Sequence, residues 1–274
     1  MPELPEVETV RRTLVPAIGE VITAVWDSGM GLHMQRKPPR RALRGLIGAK
    51  IVGVRRHGKY LLVDTATPRS VLVHLGMTGR FCIHPMQSSR AAHTHLVLEL
   101  GRRELRFVDP RRFGQIDVFA RTNERSHPAL AGLGPDALNE PVDFERLLEA
   151  AKRRRTTLKA FVIDQSVLAG IGNIYASEAL WRARLPPTKR THRLSAAGAR
   201  ALADSIREVI ERALANGGTT LSDFVDAHGV AGDNAQYLWV YDRAGEPCPR
   251  CKSLIRRCVL QGRATYFCPT CQTP

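Results

Sequence analysis

The first residues of the chain could form a covalent catalyst. Removal of Met1, which aminopeptidases carry out when the next residue is small, would expose Pro2 as a secondary amine beside the carboxylate of Glu3. A free α-amino group has a pKa of about 7.7–8.0, against about 10.4 for lysine, so more of it is nucleophilic at neutral pH. A Pro-Glu start alone is weak evidence, because Glu3 could equally be a first-turn helix residue.

The other end of the chain carries two cysteine pairs. Cys248 and Cys251 are separated by two residues, as are Cys268 and Cys271, and 16 residues lie between the pairs. Four thiolates at this spacing can bind one tetrahedral Zn²⁺, and they leave no open position for a reacting water, so the pattern predicts a structural ion. The spacing of Cys258 fits neither pair, and Cys82 lies in an apolar run typical of a core.

The composition restricts the class of protein. The chain has 274 residues, of which 43% are hydrophobic and 24% charged, an ordinary globular balance that is long enough for two domains. Its net charge of +15 favours a polyanionic partner, although a merely basic surface would give the same count. No apolar run of about 18 residues and no signal-peptide pattern occurs, so we expect no membrane span, no export and a cytoplasmic location.

The first half of the chain has a helix followed by strand-like runs. Residues 5–15 show the period of an amphipathic helix, with Pro5 at its start and Pro16 after its end. Gly, Pro and Asp separate seven short strand-like runs at 21–26, 51–54, 60–63, 71–74, 95–98, 105–108 and 116–119. Such a series predicts an antiparallel sandwich or barrel.

The second half has a helical period. Residues 122–141 are rich in Pro, Gly and Asn, which is typical of a linker. Helical patterns then cover 143–153, 156–165, 173–183, 195–215 and 219–227. Gly170-Ile-Gly172 breaks the pattern sharply just before the third of these helices.

Six blocks of this sequence resemble bacterial formamidopyrimidine-DNA glycosylases. They are Pro2-Glu-Leu-Pro-Glu-Val-Glu-Thr9, His57-Gly-Lys-Tyr60, His74-Leu-Gly-Met-Thr-Gly79, Asp109-Pro-Arg-Arg-Phe-Gly114, Gly170-Ile-Gly-Asn-Ile-Tyr-Ala-Ser-Glu178 and the tail from Gly217 to Cys271. The matches occur in order and extend from residue 2 to residue 271. A chance match of six such blocks is very improbable.

The resemblance implies an α+β fold. The expected parts are an N-terminal β-sandwich with an N-terminal helix, a helical domain with a helix–two-turn–helix, and a zinc β-hairpin. Their predicted ranges are 1–121 for the catalytic sandwich, 122–141 for the linker, 142–235 for the helical domain and 236–274 for the zinc finger.

The resemblance also implies a bifunctional DNA glycosylase and AP lyase of base excision repair. Its partner would be double-stranded DNA containing an oxidised purine (8-oxoguanine or a formamidopyrimidine), and a monomer suffices for one lesion. Pro2 would attack C1′ of the damaged nucleotide to form a Schiff base, with Glu3 as general acid. Lys59 would transfer protons during strand elimination, and Arg263 would bind phosphate and assist the second elimination. Without the family, Lys59 is most simply a solvated lysine at a strand end.

The damaged base must leave the stack before it can react. By the resemblance, Met77, Arg111 and Phe113 fill the gap that it leaves, as an apolar wedge, a planar cation facing the orphaned cytosine and a stacking ring. Taken singly, Met77 and Phe113 would be assigned to a core, but Gly and Pro residues flank both and favour loop tips.

Further DNA contacts follow from the same resemblance. Asn173 opens a helix after a glycine turn, where it could be an N-cap, a phosphate ligand or both. The other expected DNA contacts are His74, His93, Arg154 and Tyr241. Glu6 and the loop 217–236 would lie near the extruded base.

Two alternatives remain open at the level of sequence. An endonuclease VIII-like glycosylase for oxidised pyrimidines would share the amine, the helix turn and the zinc hairpin, but it usually begins Pro-Glu-Gly-Pro where this chain has Pro-Glu-Leu-Pro. A non-enzymatic zinc-ribbon protein that binds nucleic acid would explain the charge and the cysteines but not the Pro-Glu start. A disulfide-stapled secreted protein is disfavoured by the missing signal peptide.

Overall fold

The computed structural model describes residues 1–32, 38–86 and 88–273 of the chain. These residues form two compact units, one within residues 1–131 together with 216–235 and one within residues 132–215 together with 236–273. The sequence predicts a different division of the chain into functional ranges, with boundaries at residues 121, 141 and 235. That division stays a prediction.

The first unit begins with helix α1, Leu4–Thr13, which confirms the helix expected at residues 5–15. Pro5 occupies the first turn, where its missing N–H costs no hydrogen bond, and Arg11 and Arg12 occupy the last turn. Leu4, Val7 and Val10 are buried along one face of the helix and pack into the core of the unit.

Two four-stranded antiparallel sheets form the rest of this unit, as the sandwich prediction requires. One has the order β1-β6-β7-β5 and the other the order β2-β3-β4-β8. The strands are β1 Ala24–Asp27, β2 Ile51–His57, β3 Tyr60–Thr65, β4 Arg69–His74, β5 Arg80–Pro85, β6 Thr94–Glu99, β7 Arg103–Val108 and β8 Gln115–Ala120. A short helix, α2 Arg40–Arg44, precedes β2. Side chains from both sheets and from α1 share one apolar core.

A buried ion pair fixes α1 to the turn between β2 and β3. Arg56, in β2, donates from Nε to Glu8 Oε2 of α1 at 3.1 Å and from Nη1 to the carbonyl of Gly58 in the turn at 3.0 Å. Both side chains of the pair are almost fully buried, at 1% and 6% exposure. Burial raises the pKa of Glu8, but hydrogen bonds from Arg11 and Arg12 outweigh it and hold that pKa below its ordinary value.

The helix predicted at residues 219–227 is wrong, because this segment is irregular and belongs to the first unit. Gly217 and Gly218 enter it with φ of +71° and +86°. Thr220 then donates from its hydroxyl to the carbonyl of Phe224 at 3.1 Å, a local bond that competes with helical pairing. The amide of Ala227 donates to Thr13 of α1 at 3.0 Å, so tertiary contacts decide the path of the segment.

The second unit is helical, as predicted. Its helices are α3 Phe144–Lys152, α4 Leu158–Ile163, α5 Asn173–Arg182 and α6 Ala196–Ala215. Between α4 and α5, the Gln165 side chain donates to the carbonyls of Ile163 and Ile171 at 2.8 and 2.7 Å and accepts the amide of Gly170 at 3.0 Å. One side chain therefore satisfies the backbone of both turns in the helix–two-turn–helix.

The chain after residue 235 is tied to α5 by a buried carboxylate. Glu178, 2% exposed, accepts the backbone N–H groups of Trp239, Val240 and Tyr241 at 2.7, 2.9 and 2.9 Å. Burial raises the pKa of Glu178, although these three donors and Arg212 act in the opposite direction. The last element is an antiparallel hairpin of β9 Arg256–Leu260 and β10 Arg263–Phe267. Within the described ranges, no helix combines the length and apolar character that crossing a membrane would require.

Replacement of Arg56 by Ala should lower the free energy of unfolding by about 3 kcal/mol, because it leaves the buried Glu8 carboxylate short of a partner. The matched control is Arg12→Ala. Arg12 contacts the same Glu8 carboxylate at 2.9 Å, but its side chain is 54% exposed, so this replacement should lower the free energy of unfolding by less than about 1 kcal/mol. Urea denaturation followed by circular dichroism measures both values. Equal losses in the two variants would contradict the importance assigned to the buried pair.

Candidate functional site

The Pro-Glu start lies at the N-terminus of α1, next to the loop 217–236, which begins with Gly217 and Gly218 and is called the glycine loop below. Pro2 is buried and Met1 is exposed, and Glu3 is the N-cap of α1 with an extended backbone, not a residue of its first turn. Glu6 Oε2 accepts the amide of Glu3 at 2.8 Å, and Glu6 Oε1 accepts the amide of Thr219 at 2.7 Å. The buried Glu6 carboxylate thus fixes the start of the helix and the start of the loop together.

The glycines of this loop allow that close approach. A Cβ atom on Gly218 would lie 3.2 Å from Glu6 Oε1, and its φ is in the left-handed region. A Cβ atom on Gly232 would lie 2.3 Å from the carbonyl oxygen of Gly218. Any other residue at position 232 would therefore require a shift of the backbone. The loop therefore packs directly on the helix end that carries Pro2 and Glu3.

Lys59 lies in the two-residue turn between β2 and β3 that Arg56 holds. It is 7% exposed, so the solvated lysine expected without the family does not describe it. His74, at the end of β4, packs its ring 4.8 Å from the ring of Tyr60. Burial, followed by the nearby charge of Lys59, lowers the pKa of His74 to about 4, so the ring is neutral at pH 7. Its Nδ1 accepts the amide of Gly76 at 3.1 Å, which leaves the proton on Nε2 as a neutral donor.

A buried aspartate holds the two loop tips that carry the predicted base-gap residues. Asp109 is fully buried; its Oδ1 accepts the hydroxyl of Thr78 at 2.6 Å and the amide of Arg111 at 3.2 Å, and its Oδ2 accepts the amide of Gly114 at 2.7 Å. A Cβ atom on Gly76 would lie 2.5 Å from backbone atoms of the second loop. The turn with Met77 and the loop with Arg111 and Phe113 are therefore one packed structure.

The side chains at these tips are presented outward. Met77 is 43% exposed, which excludes the core assignment that a lone methionine would receive. The guanidinium of Arg111 lies 4.8 Å from the centre of the Phe113 ring, a cation–π distance. His93 is exposed with φ of +63°, and its carbonyl accepts the amide of Asp109 at 3.0 Å. Four of the predicted DNA contacts thus surround Asp109, to which sequence reasoning gave no role.

In the second unit, Asn173 is the first residue of α5 and Gly172 is its N-cap. Nδ2 of Asn173 donates to the carbonyl of Ala264 in β10 at 2.9 Å, so the side chain joins the helix N-terminus to the zinc hairpin instead of capping the helix. Lys159, which is 1% exposed, donates from Nζ to the carbonyl of Asn173 at 2.7 Å. Arg154 is half-buried, and its Nη1 donates to the carbonyl of Ala150 at 3.2 Å.

Arg263 follows directly on the hairpin turn at Gln261 and Gly262, both of which have positive φ. The side chain is exposed, as a phosphate ligand must be. Tyr241 is half-buried, with its amide held by Glu178 and its ring 5.1 Å from that of Tyr266. The region where α5 contacts the hairpin therefore carries Asn173, Arg263 and Tyr241.

The four predicted zinc cysteines come together at the base of the same hairpin. Their sulfurs lie within 4.8 Å of one another, with Cys248 Sγ 3.9 Å from Cys271 Sγ and Cys251 Sγ 3.4 Å from Cys268 Sγ. A tetrahedral Zn²⁺ with Zn–S bonds of about 2.3 Å needs sulfurs about 3.8 Å apart, so this donor set fits one structural zinc ion. Cys258 pairs with Thr265 across the hairpin and is outside the cluster. Burial raises the pKa of Cys82 to about 11, which makes it an inert core thiol.

Comparison with known proteins gives matches to one family along the length of the chain. Residues 1–116 match the formamidopyrimidine-DNA glycosylase N-terminal domain, residues 133–225 match the formamidopyrimidine-DNA glycosylase H2TH domain, and residues 245–274 match the zinc finger found in FPG and IleRS. The formamidopyrimidine-DNA glycosylase of Methylococcus capsulatus is 44% identical over 278 residues, which cover 99% of this chain and 100% of the relative.

Solved structures give the same result. A complex of a Lactococcus lactis FPG variant with DNA containing Fapy-dG has a TM-score of 0.92 and 31% identity, and covers 100% of both chains. A complex of Lactococcus lactis Fpg with DNA containing an abasic site has a TM-score of 0.91 and 32% identity, over 99% of this chain and 100% of that one. Since three family models and full-length relatives agree with the helix start, the glycine loop and the zinc cluster described above, the chain belongs to the formamidopyrimidine-DNA glycosylase family.

Proposed function

We propose that the chain is a bifunctional DNA glycosylase and AP lyase that removes oxidised purines from duplex DNA. The observation that carries this proposal is the Pro-Glu start at the N-cap of α1, packed on the glycine loop, in a chain that matches the family over its full length. Because the catalytic amine exists only after Met1 is removed, the active form begins at Pro2. DNA binding would associate this form with the nucleoid.

In the proposed first step, the neutral nitrogen of Pro2 attacks C1′ of the damaged nucleotide. The bond from C1′ to the base breaks, and the base departs with the proton that the amine nitrogen gives up. When the C1′–O4′ bond then breaks, the nitrogen and C1′ form an iminium, and because Pro2 is a secondary amine no second N–H proton has to be lost. Glu3, fixed at the N-cap by the Glu6 hydrogen bond, would protonate the sugar ring oxygen as the ring opens. Glu6 and the loop from Gly217 would border the extruded base.

Strand cleavage would follow by elimination from the iminium. Lys59, held in its turn by Arg56, would move protons and bind the neighbouring phosphate. His74 would donate to a phosphate through Nε2 as a neutral group, since its pKa of about 4 keeps it uncharged at pH 7. Met77, Arg111 and Phe113 would fill the space left by the base, with the guanidinium facing the orphaned cytosine.

The second unit would hold the DNA backbone and assist the later elimination. Asn173, at the N-terminus of α5, and Arg263, at the hairpin turn, would bind phosphates near the lesion. Arg263 would also assist the second elimination. His93, Arg154 and Tyr241 would add backbone contacts. The zinc ion would supply only structure here, because four cysteine thiolates fill its coordination shell.

The oxidised-pyrimidine alternative is separated from this proposal by substrate choice. We expect faster excision from an 8-oxoguanine·cytosine duplex than from a thymine-glycol duplex of the same sequence, measured in single-turnover reactions. The reverse order would favour an endonuclease VIII-like specificity. Failure to cut either duplex, with tight binding retained, would favour a protein that only binds nucleic acid.

Replacement of Pro2 by Gly should leave DNA binding intact but lower single-turnover base excision by about two orders of magnitude, because the primary amine of glycine lacks the ring that holds the proline nitrogen in position. Pro5→Ala is the matched control, because it removes a proline from the same helix end without altering the amine. Borohydride trapping on an 8-oxoguanine duplex, with mass spectrometry to locate the adduct, should place the covalent bond on residue 2 of the wild-type protein. Full activity of Pro2→Gly, with Met1 removed from both proteins, would refute the proposed nucleophile.

DNA affinity should fall steeply with salt, since each phosphate contact releases condensed counterions. Arg263→Ala should reduce the slope of log K against log salt concentration by roughly 0.9, the value for one lost phosphate contact in B-DNA. Arg256→Ala, at the far end of the same hairpin, is the matched control and should change the slope less. Fluorescence anisotropy at a series of salt concentrations measures both slopes; identical changes would remove the special role given to Arg263.

A further inference from the structure

Two segments of the second unit carry runs of cations and no acids. No Asp or Glu occurs at residues 150–163 or at residues 179–203. The first segment leads from α3 into α4, and the second joins α5 to α6. Each contains a run of Lys and Arg, at residues 152–155 and at residues 189–193.

Backbone hydrogen bonds hold these two segments side by side. The amide of Leu158 donates to the carbonyl of Lys189 at 2.8 Å, and the amide of Thr191 donates to the carbonyl of Thr156 at 3.0 Å. The pairing is antiparallel, so both runs of cations lie on one part of the surface. This surface is called the basic ridge below, and its charged residues are Lys152, Arg153, Arg155, Lys189, Arg190 and Arg193.

Most cations of the basic ridge have no carboxylate partner. Arg153 pairs with Glu149 in the preceding turn of α3, and both side chains are exposed. Among the residues that the structure describes, the other members of the ridge make no ion pair. Like charges on neighbouring backbone segments repel one another, and a bound polyanion would relieve that repulsion.

The basic ridge adjoins the predicted phosphate ligands of the same unit. Gln261, at the turn of the zinc hairpin just before Arg263, donates from Nε2 to Oγ1 of Thr156 at 3.2 Å. Lys159 donates from Nζ to the carbonyl of Asn173 at 2.7 Å and from its amide to the second segment at 3.1 Å. The phosphate ligands and the ridge are therefore parts of one continuous surface.

We propose that the basic ridge binds the backbone of undamaged duplex DNA beside the lesion and so lengthens the stretch of DNA that the protein holds. This inference rests on the proposed function, because it takes the duplex that carries the lesion as the ligand of Asn173 and Arg263. Duplex DNA fits the ridge because the ridge continues the surface expected to bind that duplex. Contacts from Lys and Arg to phosphates carry no sequence information, so the ridge would hold DNA of any sequence and support movement along it.

The first test is the dependence of affinity on duplex length. Two duplexes carry a tetrahydrofuran abasic-site analogue at the centre, one of about one helical turn and one of about three. The ridge variant Arg190→Gln/Arg193→Gln should bind the longer duplex about tenfold more weakly than wild type at about 0.1 M salt, and the shorter duplex with wild-type affinity. For the longer duplex, the slope of log K against log salt concentration should fall by roughly 1.8, the value for two phosphate contacts at about 0.9 each.

The matched control is Arg146→Gln/Arg207→Gln. It removes the same charge from exposed side chains of α3 and α6 that both border residues 140–142. Its affinity for both duplexes should be close to that of wild type. A ridge variant that matches this control on the longer duplex would overturn the proposal, and so would an equal loss on both duplexes.

The same assay separates duplex DNA from RNA as the ligand of the ridge. Wild type should bind the longer duplex more tightly than a single-stranded RNA of equal charge. Tighter binding of the RNA, lost in the ridge variant, would assign the ridge to RNA and overturn the proposal. Failure of the proposed function would be recognised separately, because wild type would then not excise 8-oxoguanine from a duplex of either length.

A second test uses the wild-type chain and needs no substitution. Phenylglyoxal modifies exposed arginines, and mass spectrometry locates the modified residues. The longer duplex should protect Arg190 and Arg193, the shorter duplex should leave them reactive, and Arg146 and Arg207 should react equally with both. Ridge arginines that stay reactive on the longer duplex, or that the shorter duplex protects equally, would overturn the proposal.

Discussion

Buried carboxylates that accept backbone N–H groups hold the irregular segments on which the candidate site depends. Glu6 holds the N-cap of α1 and the start of the glycine loop, Asp109 holds the two loop tips, and Glu178 holds residues 239–241. Each is at most 2% exposed. A hydrogen bond to a charged acceptor contributes about 1.5–3 kcal/mol, and its loss also leaves a buried donor unsatisfied. Segments without helix or strand pairing thus acquire the rigidity that a reactive site needs.

The same arrangement affects the electrostatics of the surface. The chain carries +15 overall, yet several of its acids are in the interior, including Glu6, Glu8, Asp109 and Glu178. These carboxylates are hydrogen-bonded to internal donors, including the buried Arg56, and are not exposed to solvent. The charge at the protein surface is therefore more positive than the composition indicates. That distribution suits a polyanion such as DNA and increases the rate of encounter at low salt.

Local chemistry was readable from the sequence wherever neighbours in the chain decide the structure. The start of α1 follows from Pro5 and the apolar period, and the zinc site follows from the spacing of its cysteines, because tetrahedral coordination imposes that spacing. The segment 219–227 has helical periodicity but is irregular, since Glu6 and Thr13 of a distant helix take its amide donors. Nothing in the sequence of the segment indicates these partners, so its periodicity predicted a helix that does not form.

The same distinction explains why the role of Asp109 left no signal in the sequence. Asp109 sits in a recognisable motif, but its role depends on Thr78, which lies more than 30 positions away and meets it only in the fold. The carboxylate of Asp109 is fully buried, and the requirement that buried acceptors be satisfied is met by donors from both loop tips. Sequence motifs mark the groups that react and not the groups that hold them in place, so the role of a supporting residue such as Asp109 becomes evident only from its contacts in the fold.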